Sequence, residues 1–316
     1  MTIFERILFQ LYKRGHKFIP GLRPSLNGSY VLLYHNVEQQ ETPFINKLGI
    51  NIKPSDFEDH IRDLTSNYRL APLSRICNEC IDNCAMAVTF DDGYRSILTT
   101  VLPIIERYQC PIKIYLTTQH IYEGIGWLNQ LSYLFNKLTR DELRKLGEAA
   151  LRAPAPFGKH TITVGDFIAW FDVDKTPQVI AETFAKQCHD PIPRLFLNEE
   201  EIQQLALHPL VELGSHSRSH YPLNRLGRKH LYEEVVENHV YLQRIFGDRI
   251  QGFCVPFGYR NQLTPEVVAA VLEVDSFIVS AYGGRLDANK IYGATEIKRI
   301  GVWGNLGTLW YRLRFA

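Results

Sequence analysis

The chain has 316 residues, of which 45% are hydrophobic and 22% are charged, and its formal net charge at pH 7 is +1. This composition allows a substantial core and gives no general attraction to nucleic acid, so we expect no nucleic-acid partner. No apolar run approaches about 18 residues, so no membrane-spanning helix is expected either.

The N-terminal segment, residues 1–29, interleaves basic and apolar side chains and is therefore amphipathic. It lacks the uncharged apolar stretch and the small-residue cleavage site of a secretory signal, so we expect a cytoplasmic protein. The C-terminus, with Trp310, Arg312, Arg314 and Phe315, is again basic and aromatic. Such ends fit peripheral contact with anionic lipid at the inner face of the cell membrane. The alternative, which stays open, is that both ends pack on the main domain.

From residue 30 onward, short apolar runs alternate with helical patterns. The runs are Tyr30–Tyr34, Met86–Phe90, Ile112–Thr117, Leu210–Leu213, Gly252–Val255 and Ser276–Ala281. Runs of this kind are typical of strands that are buried on both faces of a parallel sheet. The alternation predicts an α/β fold, which we expect to be barrel-like and to extend over residues 30–316.

Helix starts are marked by capping-box pairs, in which Ser, Thr or Asn precedes Glu by three positions. The pairs are Ser55 with Glu58, Thr139 with Glu142, and Asn198 with Glu201. A longer helical pattern after residue 230 is expected to end at Gly247, because glycine is a common helix terminator.

Residues 121–197 interrupt the alternation and contain many aromatic side chains. We interpret this stretch as a mostly helical insertion into the barrel domain. Two interpretations stay open: the insertion is a lid over the substrate, or it consists of scaffold helices that do not contact the substrate.

The six cysteines are expected to be free thiols, because the chain shows no secretory signal. Cys77, Cys80 and Cys84 have a spacing that would suit a metal site, but no fourth ligand lies nearby in the sequence. We therefore favour ordinary thiols there over a second metal or redox site.

Polar residues directly follow four of the predicted strands. They are His35 after the first strand, Asp91 and Asp92 after the second, His216 and His220 after the fourth, and the turn 256–258 after the fifth. Because the carboxyl ends of parallel strands meet at one mouth of an α/β barrel, we expect these groups to lie together.

Asp91 and Asp92 are adjacent carboxylates that need a cation or a proton to offset their repulsion. Taken alone, a turn explains this pair better, since Asp-Asp-Gly favours turns. His216 and His220 are four residues apart, so on one helical turn both imidazoles would face the same way and could share a metal ion. Two histidines and one aspartate make three ligands, the number that a catalytic zinc site requires.

Three motifs in this order resemble those of the polysaccharide deacetylase family, the NodB-homology or carbohydrate esterase family 4 enzymes. They are TFDDGY at 89–94, GSHSRSH at 214–220 and VPFG at 255–258. The opening VLLYHNV at 31–37 is similar to a strand in one branch of that family. The resemblance implies a distorted (β/α)7 barrel and a metal-dependent hydrolase of carbon–nitrogen bonds.

The resemblance also implies roles for individual residues. Asp91 would be the general base. Asp92, His216 and His220 would hold one divalent metal ion, for which we expect Zn²⁺, with Co²⁺, Ni²⁺ or Mn²⁺ as alternatives. Asp91 would deprotonate a metal-activated water that attacks the acetamide carbonyl. The metal and the backbone N–H of Phe257 would stabilise the oxyanion.

The chain departs from the family pattern at two places. Cys254 stands where many relatives carry an arginine that orients the catalytic aspartate, so the partner of Asp91 is left open. We favour a buried structural thiol over a nucleophile at Cys254. No histidine follows His239, so the late histidine that acts as general acid in many members is missing. His35 is our candidate acid, with a structural histidine as the alternative.

Two further residues are expected to contact the substrate together with Phe257. Tyr94 ends the first motif, and Arg299 resembles an arginine found late in this branch. The branch is associated with lipopolysaccharide and other surface-glycan biosynthesis. We therefore expect removal of an acetyl group from an amino sugar that is carried on a lipid or a nucleotide. The alternatives are an N-deformylase of a lipid-linked amino sugar and an inactive glycan-binding scaffold.

Overall fold

The computed structural model describes residues 3–16, 20–78, 85–152, 161–286 and 290–316. The strands in these ranges are β1 (Tyr30–Tyr34), β2 (Asn36–Val37), β3 (Asn51–Ile52), β4 (Arg69–Leu70), β5 (Ala85–Phe90), β6 (Ile112–Leu116), β7 (Val211–Ser215), β8 (Ile250–Cys254), β9 (Phe277–Val279), β10 (Lys290–Ile291), β11 (Ala294–Ile297) and β12 (Ile300–Gly301).

The helices in these ranges lie between the strands and near both ends of the chain, and the longest of them is α2, with 14 residues. They are α1 (Ile3–Gly15), α2 (Pro54–Asn67), α3 (Leu73–Asn78), α4 (Leu102–Tyr108), α5 (Thr118–Glu123), α6 (Trp127–Lys137), α7 (Arg140–Ala150), α8 (Val164–Ala169), α9 (Thr176–Gln187), α10 (Glu199–Ala206), α11 (Arg228–Tyr232), α12 (Asn238–Phe246), α13 (Pro265–Leu272) and α14 (Leu306–Arg314).

In the described part of the chain, one large sheet has the strand order β10-β11-β9-β8-β7-β6-β5-β1-β12, with β4 beside β5. Its pairs are parallel except β10 with β11. β11 ends at Ile297 and β12 begins at Ile300, although they lie near opposite ends of that order. Three Cα–Cα steps span at most about 11 Å, so the sheet curls into a half-barrel. The predicted α/β, barrel-like fold is confirmed.

Each of the six apolar runs in the sequence overlaps a strand, namely β1 and β5 to β9. The C-terminal strands were missed, because β11 has four residues and β12 has two. Segments so short show no periodicity that a sequence could reveal. β12 pairs with β1 through Leu32 opposite Ile300, so the end of the chain lies beside the first strand of the barrel.

Two of the three predicted capping boxes are confirmed. The side chains of Thr139 and Asn198 accept hydrogen bonds from the backbone N–H three residues later, at the starts of α7 and α10. The predicted cap at Ser55 is wrong: α2 begins at Pro54, and its N-cap residue Lys53 makes no side-chain cap. Proline favours the first helical turn and sets this start earlier. The predicted stop at Gly247 is confirmed at the end of α12.

The insertion has an apolar core of its own. Helices α6 to α9 pack around fully buried side chains that include Leu131, Phe167, Phe171 and Ile180. A second, larger cluster joins the sheet to α2, α4 and α14. The insertion is therefore a packed layer of helices and not a loose excursion of the chain.

Two further expectations from the sequence concern cysteines and membrane spans. Cys77 is free and half-buried, whereas Cys80 and Cys84 lie outside the described residues, so the three-cysteine cluster stays untested. None of the helices in the described part of the chain has the length and apolarity needed to span a bilayer.

Candidate active site

Asp91 and Asp92 lie immediately after β5, whose six residues are all buried. The backbone N–H of Asp91 donates to the carbonyl of Tyr34, so the first aspartate continues the sheet ladder. Asp92 leaves the ladder with a φ of 70°, and Gly93 follows at 78°. This abrupt turn directs two successive carboxylates into one cavity.

His216 and His220 follow β7, but not on a helical turn. Residues 216–222 form an irregular loop, in which Ser217 and His220 have φ values of 66° and 56°. The prediction that a four-residue spacing places both histidines on a helix is wrong. The two rings nevertheless meet, with centroids 4.9 Å apart, because the left-handed residues fold the loop back on itself.

Hydrogen bonds from distant parts of the chain hold this loop. The backbone N–H of Ser219 donates to Glu234 Oε2 over 2.8 Å. The indole N–H of Trp127, in the insertion, donates to the carbonyl of His220 over 3.0 Å. The Ser217 hydroxyl accepts from the His220 N–H. The position of His220 thus depends on residues that no local motif contains.

Left-handed backbone is concentrated at this site. Of the six non-glycine residues with positive φ in the described chain, four belong to the motif loops: Asp92, Ser217, His220 and Phe257. Such conformations cost on the order of 1 kcal/mol or more each, and they persist only where the surroundings enforce them. Their concentration indicates a geometry that the fold maintains against local strain.

Asp92, His216 and His220 converge on one point. Asp92 Oδ1 lies 3.6 Å from His216 Nε2 and 3.2 Å from His220 Nε2. One ligand atom from each of the three lies within 4.8 Å of the others, and all three residues are buried. Ligand atoms around a tetrahedral zinc ion lie about 3.3 Å from one another, so these separations fit a shared ion.

The donor chemistry also fits a cation. His216 Nδ1 lies 2.9 Å from the carbonyl oxygen of Cys254; since a carbonyl only accepts, Nδ1 carries the proton and Nε2 offers a lone pair. Among the described residues, Asp92 Oδ1 is a buried oxygen with no hydrogen-bond donor. Burial lowers the pKa of both histidines, that of His220 to about 4, so both are neutral ligands at pH 7. Such a cluster is unfavourable until a cation fills it.

Asp91 has a cation of its own. Arg299 donates from Nη1 to Oδ1 over 2.6 Å and from Nη2 to Oδ2 over 2.7 Å, a bidentate pair. Burial alone would raise the pKa of Asp91, but Arg299 and His216 outweigh it and hold that pKa well below its usual range. For Asp92, burial prevails and the pKa is raised. Arg299 therefore keeps the Asp91 carboxylate ionised, whereas Asp92 would need an added cation to stay ionised.

The place of Arg299 differs from the predicted one. Its side chain is fully buried behind Asp91, where it also donates to Thr89 Oγ1 and to the Ser280 carbonyl, over 3.1 Å each. It lies outside the lining of the cavity, so the predicted substrate contact is wrong. Its Nη2 lies 2.9 Å from Cys254 Sγ. Arg299 is therefore the partner of Asp91 that the sequence analysis left open.

Cys254 is a buried thiol beside this pair. Its Sγ lies 3.6 Å from Asp91 Oδ2, and burial raises its pKa, so it stays protonated. Asp91, His216 and Cys254 form a second group with ligand spacing. Because Arg299 already occupies both oxygens of Asp91, the group that contains Asp92 is the better metal site.

A cavity of about 550 Å³ opens over these carboxylates. Tyr94, Phe257 and His35 all line it. The Tyr94 hydroxyl accepts from Asn129 over 3.1 Å, and the Phe257 ring packs on the ring of His220 with centroids 4.7 Å apart. Burial lowers the pKa of His35, although the nearby carboxylates act in the opposite direction. His35 is therefore neutral at pH 7.

Two walls of the cavity come from outside the motifs. Leu128 of α6 and Val164 and Ile168 of α8 form an apolar wall from the insertion. Trp303 and Arg312 line another part of the cavity, called here its rim, with the guanidinium 4.2 Å from the centroid of the indole ring. The insertion therefore forms part of the cavity wall, and its Trp127 also holds the loop 216–222.

Comparison with known families identifies the chain at this point. A family model described as polysaccharide deacetylase matches residues 80–272, which is more than half of the chain. The chain belongs to the polysaccharide deacetylase family. As a member, it is a hydrolase of amide bonds and, in general terms, a glycan N-deacetylase. The carbohydrate substrate and the hydrolase class that the sequence predicted are thereby confirmed. A search of curated proteins found no match.

Solved structures show the fold that this deacetylase shares. A polysaccharide deacetylase from Bacillus cereus has a TM-score of 0.59 and 14% identity over 91% of this chain and 69% of its own. A de-N-acetylase from Aggregatibacter actinomycetemcomitans has a TM-score of 0.56 and 14% identity, over 90% and 99%. IcaB from Ammonifex degensii has a TM-score of 0.54 and 15% identity, over 90% and 97%.

Proposed function

We propose that the protein is a metal-dependent N-deacetylase that removes the acetyl group from an N-acetylated amino sugar of a surface-glycan precursor. The main support is the meeting of Asp92, His216 and His220 beside an Asp91 that Arg299 keeps ionised. A similar fold in a de-N-acetylase supports the same reaction. Apolar cavity walls leave room for the body of a sugar and its acetyl methyl group.

Asp92, His216 and His220 would hold the metal ion. Two imidazole nitrogens and one carboxylate oxygen suit Zn²⁺ best, with Co²⁺, Ni²⁺ or Mn²⁺ as substitutes. When bound, the ion would supply Lewis-acid polarisation of the amide carbonyl and make a water molecule more acidic. Each of the three residues would contribute a single ligand atom, so the ion would keep coordination positions open to substrate and water.

Asp91 would take up the proton of the attacking water. Its Oδ2 lies 3.6 Å from His216 Nε2, so it borders the ligand cluster directly. A carboxylate with so low a pKa is a weak base. Asp91 can deprotonate only a water molecule whose pKa has already been lowered, so the proposed reaction needs both Asp91 and the metal ion. Arg299 is a positioning residue that fixes both oxygens of Asp91 and keeps them ionised.

The departing amine needs a proton, and His35 is the proposed donor. It lines the same cavity as Asp91. Since His35 is neutral at pH 7, it can deliver only a proton that it receives during the reaction. The backbone N–H of Phe257, in a turn with a φ of 63°, is the proposed donor to the developing oxyanion.

The test is hydrolysis by the full chain supplied with Zn²⁺, with acetate and formate measured separately. Substrates are N-acetyl and N-formyl hexosamines in free, nucleotide-linked and lipid-linked form. We expect acetate release that falls by at least about 10³-fold in Asp91→Asn, with one metal ion still bound. His216→Ala should lose the ion, whereas the exposed His189→Ala should change neither metal content nor rate.

Other outcomes would separate the alternatives. Release of formate alone would identify an N-deformylase with the same catalytic residues. Bound metal without hydrolysis of any substrate, in both the native chain and Asp91→Asn, would contradict catalysis and favour a glycan-binding scaffold.

A further inference from the structure

Helix α1 presents two separate apolar faces. One face carries Phe9 and Tyr12, whose rings contact Tyr311 of α14 with centroids 5.3 and 5.7 Å apart. The other face carries Phe4, Ile7 and Leu11, which expose 72%, 65% and 44% of their surface. These three residues, called here the outer stripe, fall within about 60° of one another on a helix of 3.6 residues per turn. The packing on α14 does not use them.

Basic residues occupy one flank of helix α1. Arg6, Lys13 and Arg14 are exposed on α1, and Arg314 is exposed near the end of α14. At about 100° per residue, Arg14 lies next to Ile7 around the helix, whereas Arg6 and Lys13 lie about 100° and 120° from Ile7, on the polar side of the helix. Phe315 exposes 57% of its surface. Its ring centroid lies 6.4 Å from that of Tyr12, so it adds to the exposed apolar surface near α1.

The outer stripe lies close to the catalytic cavity. α1 packs on α14, and α14 carries Arg312 on the cavity rim beside Trp303. Packed helices lie about 8–10 Å apart, so one helix layer separates the outer stripe from the rim. A surface bound to the outer stripe would therefore lie near the part of the cavity that Arg312 lines.

We infer that the outer stripe docks on an anionic lipid surface, and that the protein takes an amino sugar attached to a lipid carrier from that surface. The substrate part of this inference rests on the proposed function; the docking part does not. An apolar stripe with cations on one flank is the arrangement of interfacial helices, which bury apolar side chains at the headgroup boundary and attract anionic lipid. The apolar wall of Leu128, Val164 and Ile168 suits the apolar start of a carrier.

A second copy of the chain fits this surface less well. Two outer stripes face to face would place the Arg14 of each copy at the edge of the same contact, and like charges repel. Three side chains also expose a few hundred Å² at most, less than the roughly 1,200 Å² of a stable protein interface. Anionic headgroups offer complementary charge, and binding to a lipid surface does not require the contact area of a stable protein interface.

The docking test uses the full chain and vesicles without substrate. Sedimentation is compared between vesicles of phosphatidylcholine and vesicles with about half phosphatidylglycerol, at about 0.1 and 0.5 M NaCl. We expect at least about tenfold stronger binding to the anionic vesicles and weaker binding at high salt. Phe4→Ser, Ile7→Ser and Leu11→Ser together should reduce binding at least about tenfold.

A matched control removes three apolar side chains of similar exposure elsewhere: Ile192→Ser, Leu207→Ser and Leu272→Ser. This control should bind as the native chain does. Equal loss in both triple variants, or no binding by the native chain, would overturn the proposal. So would an outer-stripe variant that turns a dimer into a monomer, by light scattering, without changing vesicle binding.

The substrate part is tested by comparing two substrates. The outer-stripe variant should keep its rate on a water-soluble N-acetyl amino sugar and lose at least about tenfold on a lipid-linked one in vesicles. Asp91→Asn should bind vesicles normally and hydrolyse neither substrate. Intact docking without any hydrolysis would count against the proposed function alone. Hydrolysis of the soluble substrate by a native chain that never binds vesicles would count against docking alone.

Discussion

The motif loops after β5 and β7 and the C-terminal segment, residues 290–316, build the same site in different ways. The motif loops supply Asp91, Asp92 and the two histidines, each directly after a strand. The C-terminal segment supplies Arg299 to Asp91 and Arg312 to the cavity rim, and its sequence alone does not show which carboxylate Arg299 meets. In this chain the motif loops therefore supply the reactive groups, whereas the charge that supports Asp91 comes from a segment far away in the sequence.

The path of the C-terminal segment explains how Arg299 reaches Asp91. β11 pairs with β9 on one side of the half-barrel, and β12 pairs with β1 on the other. Arg299 lies between these two strands, where the chain crosses the gap between the ends of the sheet. Asp91 follows β5, the neighbour of β1, and pairs with Arg299 at this gap. The residue that crosses the gap therefore also neutralises the Asp91 carboxylate.

Removal of the Arg299 side chain, which the C-terminal segment supplies to Asp91, should cause the greatest loss of stability and activity. Arg299→Met leaves Asp91 buried without its partner, so the free energy of unfolding should fall by about 3–5 kcal/mol. Acetate release should fall by at least about 10²-fold. Because the pKa of Asp91 is no longer depressed, the acid limb of the activity profile should move to higher pH, and Arg299→Lys should restore part of each loss.

Urea unfolding and the pH–rate profile measure these effects. The matched control is Arg23→Met, at another arginine that pairs with a buried carboxylate, Asp63. Asp63 keeps donors from Asn67 and Trp310, so the control should lose no more than about 1 kcal/mol. Equal losses in the two variants would refute a specific role for Arg299 on Asp91.

A second test concerns the contact between the C-terminal segment and the body of the barrel. His60 of α2 is buried between the Tyr34 hydroxyl, 3.2 Å from its Nδ1, and the backbone of Asn305. Burial lowers the pKa of His60 to about 4. Below the ordinary pKa of about 6.5, the unfolded chain takes up a proton that the folded chain refuses, so stability falls as the pH falls.

His60 alone should account for roughly 2 kcal/mol of the loss in unfolding free energy between pH 7 and pH 5. His60→Gln should remove that part of the pH dependence while the other buried histidines keep theirs. Urea midpoints at the two pH values measure the difference. An unchanged slope in the variant would show that His60 does not stay neutral in the fold.

A third test sharpens the link between the insertion and the motif loops. Trp127→Phe removes the N–H that binds the carbonyl of His220, so the loop loses about 1 kcal/mol of hydrogen bonding. Because outer residues orient metal ligands, the affinity for Zn²⁺ should fall about tenfold. Trp170→Phe, at a partly buried residue that packs against the core of the same insertion, should leave the affinity unchanged; competition with a chelator measures both.

A fourth test compares a helix cap that the sequence predicted correctly with one that it predicted wrongly. Thr139→Ala removes a side chain that caps α7, and the free energy of unfolding should fall by about 1 kcal/mol. Ser55→Ala should change it by less than about 0.5 kcal/mol, because Ser55 lies inside α2 and not at its cap. Comparable losses at both positions would mean that Ser55 also stabilises the start of its helix.

The fold and half of the site could be predicted from particular residues. Runs such as those of β1 and β5 are long and apolar enough to indicate buried strands. The strand ends then place Asp91 and His216 at one mouth. The prediction of a helical turn for His216 and His220 was wrong, because a spacing of four residues defines a common face only if the backbone is helical. The backbone here has positive φ values, which depend on a hydrogen bond to the insertion.

By itself, the sequence determined which side chains carry charge and lone pairs at the strand ends, because those depend on residue type and on the order of strands. The partner of each carboxylate depends instead on how the chain folds in three dimensions. Arg299 pairs with Asp91 from 208 positions away in the sequence, whereas Asp92 Oδ1 has no hydrogen-bond donor among the described residues and lies beside His216 and His220. That choice depends on how the two ends of the sheet meet, and no local pattern of residues encodes such a distance.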